Sequence, residues 1–185
     1  VKANSTITAA NGQWTPEARS YQNSYTSPVV LGQVMTYNDT AWSVFWASAS
    51  NYKNPPSASE LYAGKMVGED TDKTRANETI GYIVIEQGSG SIAGIPYTAA
   101  LGADTVRGVD NTSTGYTYSF SAVANADVAI ISEAAIDGNN GAWPVFYGTG
   151  YLTSTAIKLA IDEDQIKDTE RAHTTEQVAY IVFGQ

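Results

Sequence analysis

One octet occurs twice in this chain of 185 residues, and no fold that ignores the recurrence can be right. The copies are Glu78-Thr79-Ile80-Gly81-Tyr82-Ile83-Val84-Ile85 and Glu176-Gln177-Val178-Ala179-Tyr180-Ile181-Val182-Phe183. Each is dominated by β-branched and aromatic residues and holds no proline, the pattern of a strand. Side chains alternate across a strand, so Ile80, Tyr82 and Val84 share one face and Ile83 and Ile85 the other. Apolar residues on both faces predict a central strand rather than an edge. Gly81 and Ala179 hold the same small position, which predicts close packing there in both copies.

The recurrence extends beyond the octets. Trp42-Ser43-Val44-Phe45-Trp46 superposes on Trp143-Pro144-Val145-Phe146-Tyr147, and Val29-Val30-Leu31 answers Val128-Ala129-Ile130-Ile131. Trp42 to Trp143 is 101 positions and Tyr82 to Tyr180 is 98, and with a Glu-Asp followed by Arg-Ala before each octet four features recur in one order. Further strands are expected over residues 6–9, 61–67, 116–120 and 159–161. Turns are expected at Asn11-Gly12, at Tyr37-Asn38-Asp39-Thr40 and over residues 137–141. No segment keeps a helical period, and residues 162–173 read as a charged loop. Short, regularly spaced strands with turn signals predict an all-β chain, an antiparallel β-sandwich built from two related, duplicated halves. Residues 1–88 form the first half with an N-terminal strand or extension. Residues 89–185 form the second, with Gly88-Ser89-Gly90-Ser91 as the seam. Trp42 and Trp143 open the same strand in each half and are expected in the core.

The net charge of −9 argues against nucleic acid and anionic membranes, which require a basic footprint. No apolar run is long enough to insert into a membrane. Absence of cysteine removes disulfides, thiolate zinc sites and thiol chemistry together. Charged residues are only 16% of the chain, and Ser, Thr, Asn, Gly and Tyr fill the gap. That composition, with a first residue of Val rather than Met, fits the processed form of a secreted cell-surface protein.

The most specific polar constellation is Glu69-Asp70, Arg75 and Glu78, matched by Glu163-Asp164, Arg171 and Glu176. A carboxylate pair, an arginine and a further carboxylate precede the same strand twice. One reading is a ligand or calcium loop in each half. The reading preferred here is an ion-pair network in which each arginine is buried and pins its loop to the sheet. A cation inside the cluster disfavours a divalent metal, and no Asp-x-Asp-x-Asp-Gly spacing is present. Asp162, Asp164 and Asp168 remain the calcium candidates, and no other cofactor is indicated. His173 is the one histidine of the chain, without a nucleophile signature beside it. A hydrogen-bonding role at the strand entry is expected instead. Nineteen acidic residues make some carboxylate pair inevitable, so a glycosidase reading has little support.

Tyr25-Thr26-Ser27-Pro28-Val29-Val30, together with His173-Thr174-Thr175-Glu176-Gln177-Val178-Ala179-Tyr180-Ile181-Val182, resembles a module of secreted bacterial surface proteins. That module occurs in tandem within adhesin-like chains and is distantly similar to H-type lectin β-sandwiches. The resemblance implies a six-stranded antiparallel sandwich, sugar binding and oligomers. The first half departs from it, having Arg75-Ala76-Asn77-Glu78 without the histidine. No sugar-contacting residue can be transferred by position.

These observations lead to a non-enzymatic structural or adhesive surface protein that associates with itself as an oligomer or a filament. A carbohydrate-binding module recognising glycans is the alternative, and a polysaccharide-active enzyme the third class. Residues 1–12 are expected to supply a strand that completes a sheet, in their own subunit or in a neighbour.

Overall fold

The computed structural model of the chain describes residues 16–72 and 74–185, with the backbone of Lys2–Ala3 and Thr6–Ile7. Asn11, Gly12 and Trp14 lie outside the described residues. The described part is almost entirely β. In chain order the strands are β1 (Lys2–Ala3), β2 (Thr6–Ile7), β3 (Glu17–Arg19), β4 (Pro28–Val34), β5 (Val44–Ser48), β6 (Leu61–Met66) and β7 (Glu78–Glu86). There follow β8 (Gly88–Ile92), β9 (Ile95–Leu101), β10 (Tyr116–Ser119), β11 (Val128–Ala134), β12 (Ala142–Phe146), β13 (Ala156–Glu163) and β14 (Val178–Phe183). The helical content among the described residues is one 3-10 turn, Val109–Asn111.

Three sheets result: β1-β7-β4, β10-β13-β12, and an eight-stranded sheet running β2-β6-β5-β11-β14-β9-β8 with β3 also on β6. The large sheet is mixed rather than purely antiparallel. β5 and β11 run parallel, with Trp46 opposite Glu133 and Ala47 opposite Ala134, and β2 runs parallel to β6. Neither pair is joined by a hairpin, so no tight turn dictates its direction.

The large sheet curls around β4 and β7. Val30 and Ile80 on one face of that small sheet meet Phe45, Ala47, Leu61 and Ala63. Val29 and Leu31 on the other meet Ala99, Ala134, Ala179 and Ile181. Beyond β14, Val178, Tyr180 and Val182 pack on Ile157, Leu159 and Ile161 of β13. One face-to-face cluster thus holds Ile80, Tyr82 and Val84, and another Val178, Tyr180 and Val182.

The ladders place several of the repeated residues opposite one another. Val29 lies opposite Ile85 and Val128 opposite Phe183; Val44 lies opposite Met66 and Val145 opposite Ala160. Gly81 sits opposite Gln33, and Ala179 opposite Ser132. A Cβ on Gly81 would lie 2.9 Å from the exposed Met35 side chain, which would have to shift to admit it.

Four expectations change. The Gly88 to Ser91 run is β8, paired with β9 through a two-residue turn at Ala93 (φ 53°) and Gly94 (φ 86°). Those dihedrals suit a hairpin, and the strand resembles a linker only because all five of its residues are exposed. β7 is flanked by β4 along its length, but by β1 only at Glu78 and Thr79, and Ile83 is 53% exposed. Trp42 and Trp143 are not core residues. They meet edge-to-face with centroids 5.2 Å apart, Trp42 is 37% exposed, and Trp46 is the tryptophan that fills the interior. Asp162 and Glu163 end β13 rather than forming a loop.

Candidate functional site

At the mouth of β7, Glu78 is buried and aims its carboxylate at the loop that follows β4. It accepts the Asn38 N–H at 2.9 Å and the Asp39 N–H at 2.8 Å, and also the Thr36 hydroxyl. Two successive amides turned onto one carboxylate form an anion cradle. Burial opposes the charge, but the Thr36 hydroxyl, the two amides and Lys65 outweigh it and hold the Glu78 carboxyl below the usual range. Lys65 is itself buried on β6 and donates to the Ala76 carbonyl. Burial pulls its pKa down, against the attraction of Glu78 and Asp39.

The mouth of β14 repeats the cradle with different chemistry. Glu176, also buried, accepts the Asp137 N–H at 2.8 Å and the Gly138 N–H at 2.8 Å. These are the positions that correspond to Asn38 and Asp39 by the β4 and β11 registers. The cation here is His173. Its Nε2 bonds Glu176 at 2.9 Å and its Nδ1 bonds Glu163. Burial alone would lower the imidazole pKa; bonds to Glu163 and Glu176 raise it instead to about 9. A Cβ at Gly138 would stand 2.2 Å from the ring, so the glycine makes room for the histidine. In the first half Asp39 occupies that place and accepts the Ala41 and Ala76 amides at 3.0 and 2.7 Å. Those amides, with Arg75, hold its carboxyl below the usual range.

The two arginines diverge. Arg75 has a side chain only 1% exposed and bonds Asp70 at 2.7 Å, the Asp72 carbonyl at 2.8 Å and the Trp42 carbonyl at 3.2 Å. Arg171, expected to be buried likewise, is 37% exposed and bonds Asp162 at 2.6 Å. The loop before it leaves it at the rim, where one carboxylate suffices. Glu69 pairs with the exposed Lys167 at 3.1 Å, whereas its counterpart Glu163 pairs with His173. The calcium candidates do not converge. Asp162 is taken by Arg171, and Asp164 accepts the Glu69 and Ile166 amides. Asp168 makes an exposed third, and no group of three metal-ligating side chains occurs among the described residues.

Two buried ionisable groups escape the sequence reading, Lys65 and Glu133. Glu133 is 1% exposed on β11 and neither carboxylate oxygen has a hydrogen-bond partner. Burial, then the nearby charges of Glu176 and Asp137, push its pKa well above the carboxylate range. Strand alternation gives a signal: Ala129, Ile131 and Glu133 share one face, which puts an acid among inward positions.

The His173 cluster is closed to solvent. A general base must reach a substrate proton, and both nitrogens of His173 are engaged by carboxylates in a residue 4% exposed.

Compared with known proteins, the chain is 26% identical over 169 residues to Halomucin of Haloquadratum walsbyi (strain DSM 16790 / HBSQ001), covering 89% of this chain. It spans about 2% of the length of that protein. No protein-family model and no solved structure matches, and the comparisons show no similarity to H-type lectins.

Proposed function

We propose that this is a non-enzymatic, surface-associated structural or adhesive protein, acting outside the cell, whose copies associate with one another. The observation that carries the reading is the commitment of the polar clusters to loop anchoring. Glu78 and Glu176 each hold two successive amides, and the one histidine is locked between two carboxylates. The repeated registers favour descent of the two halves from one duplicated sandwich. The likeness to a protein whose name marks it as a mucin, of which this chain matches a small fraction, supports a surface role. Among the described residues no helix is long and apolar enough to cross a membrane.

Light scattering and electron microscopy of the purified chain over a range of concentrations test the proposal. Concentration-dependent multimers or fibres are expected. A monomer at every concentration that gives saturable, selective binding on a glycan array makes it a carbohydrate-binding module instead. Turnover on a polysaccharide panel makes it an enzyme.

A further inference from the structure

We propose that the open edge of β7 is an acceptor for an added strand, and that its occupant is residues 1–9 of a second copy of this chain. The proposal deepens the self-association reading and rests on it.

The edge is chemically unfinished. Met35 N–H donates to the Thr79 carbonyl at 2.8 Å and Gln87 N–H to the Ser27 carbonyl at 2.9 Å. In an antiparallel ladder alternate residues then face the same partner, so odd-numbered residues of β7 turn toward β4. The peptide groups of Tyr82 and Val84 turn the other way. The Val84 carbonyl there takes the Tyr25 hydroxyl at 3.2 Å, and no strand among the described residues pairs with that edge beyond Thr79. Beside it runs a groove of about 470 Å³ lined by Tyr21, Tyr25, Leu61, Ile80, Tyr82 and Val84.

The second half shows what fits such an edge. The corresponding strand β14 is covered by β9, from Ala179 opposite Leu101 to Phe183 opposite Tyr97. β9 places the small Ala100 and Thr98 opposite Tyr180 and Val182, and Ala100 packs onto the core. An occupant of the β7 edge must likewise be extended and small at alternate positions. Val1-Lys2-Ala3-Asn4-Ser5-Thr6-Ile7-Thr8-Ala9 has Val, Ala, Ser, Ile and Ala on one face and no proline. Charge points the same way. The chain carries −9, so two copies repel, yet residues 1–16 hold one lysine and no carboxylate. In its own copy the segment is held by short pairings, β1 on β7 and β2 on β6, two residue pairs each. Exchange of such an element between identical chains is a low-cost route to association, and the head-to-tail contact need not close.

The chain has no cysteine, so disulfide trapping starts from a clean background. One set of full-length chains carries a single cysteine in place of Lys2, Asn4, Thr6 or Thr8, the residues that share the face of Ile83 when the odd-numbered ones face Tyr82 and Val84. A second carries Ile83→Cys, on the exposed side of β7, where an added strand would bring Cβ atoms close. Ile92→Cys, 49% exposed on the β8 hairpin, is the control. Each N-terminal variant is mixed with each acceptor variant under mild oxidation, and the unsubstituted chain is sized in parallel. Mixed disulfide to position 83 is expected at about tenfold the yield at position 92, because pairing raises the effective concentration. Multimers of the unsubstituted chain with no preference for position 83 overturn the acceptor edge and leave self-association standing. A monomeric chain without mixed disulfide overturns both.

Discussion

The mouths of β7 and β14 do one job with two chemistries. In each, a buried glutamate receives two successive amides from the loop after its partner strand, β4 for Glu78 and β11 for Glu176. The neutralising cation differs in kind and in origin. Lys65 comes from the middle of β6, whereas His173 comes from the loop before β14. Leu159 fills the site on β13 that corresponds to Lys65 on β6, and Gly138 replaces Asp39 to admit the imidazole. Anchoring is thus fixed by backbone geometry, while the charge that balances it can be supplied from any element within reach. A lysine and a histidine then give the two halves different responses to pH.

The largest effect should follow loss of the anchor. Glu176→Ala strips the Asp137 and Gly138 amides and the buried imidazolium of their shared partner, and removing one member of a buried charged pair costs about 3–5 kcal/mol. Denaturant unfolding should show a loss in that range. Arg75→Ala, which empties a fully buried guanidinium site, belongs to the same class. A neutral Glu176→Ala would mean that the cradle is incidental and would end the comparison.

Next comes the pH response. A histidine whose folded pKa is raised binds its proton more tightly in the folded state. Its contribution is therefore complete below the unfolded value of roughly 6.5 and disappears as pH climbs. With His173 raised to about 9, the window is pH 6.5 to 9. A shift of this size corresponds to about 3 kcal/mol. Glu133 and Asp137, acids raised by burial, also lose stability with rising pH, beginning above the ordinary carboxylate range. The His173 part is the difference between the parent curve and that of His173→Gln. Lys65, whose pKa is lowered, contributes with the opposite sign as pH approaches its unfolded value. Parallel unfolding curves for parent and His173→Gln across that window would remove the histidine from the account.

A smaller gain is expected from copying the first half into the second. The β4 and β11 registers place Val34 where Glu133 stands. Burying a polar group without a partner costs about 1–3 kcal/mol in proteins. Glu133→Val should therefore raise the unfolding free energy by an amount of that order, more at pH 8 than at pH 5. A destabilised variant at both pH values would show that the acid serves a partner in the folded state.

How much of this was legible varies with the kind of signal. Glu78, Glu176 and Arg75 stood out because they recur at matched distances before matched strands, and the all-β class followed from periodicity. His173 was legible as a hydrogen-bonding residue by lack of any catalytic companion. Lys65 and Glu133 were hidden because each occurs in one half only, so the repeat gave them no emphasis. The calcium candidates show the converse failure. Acids close along the chain are not close as ligands when a strand or a bend turns each toward its own donor, as with Asp162 and Asp164. The exposed Gly88–Ile92 strand read as a linker because neither of its faces is buried.

The smallest effect, and the finest test of the comparison, concerns Arg171. Sequence places it level with Arg75, and a purely repeated network would give the two equal weight. The structure separates them by exposure, 37% for the Arg171 side chain against 1% for Arg75. An exposed pair gains little, since water screens both charges and the long side chains lose freedom, with typical values of about 0–1 kcal/mol. Arg171 makes one side-chain bond, to Asp162, and its loop is held separately by the backbone bond of the Arg171 N–H to Asp110 at 2.8 Å. That second bond survives any side-chain change. Arg171→Ala should therefore cost less than about 1 kcal/mol, with the deficit shrinking further in molar salt. Equal losses for Arg171→Ala and Arg75→Ala in matched denaturant titrations would show that the halves balance their charges alike. The divergence drawn from burial would then be wrong at the rim of β13.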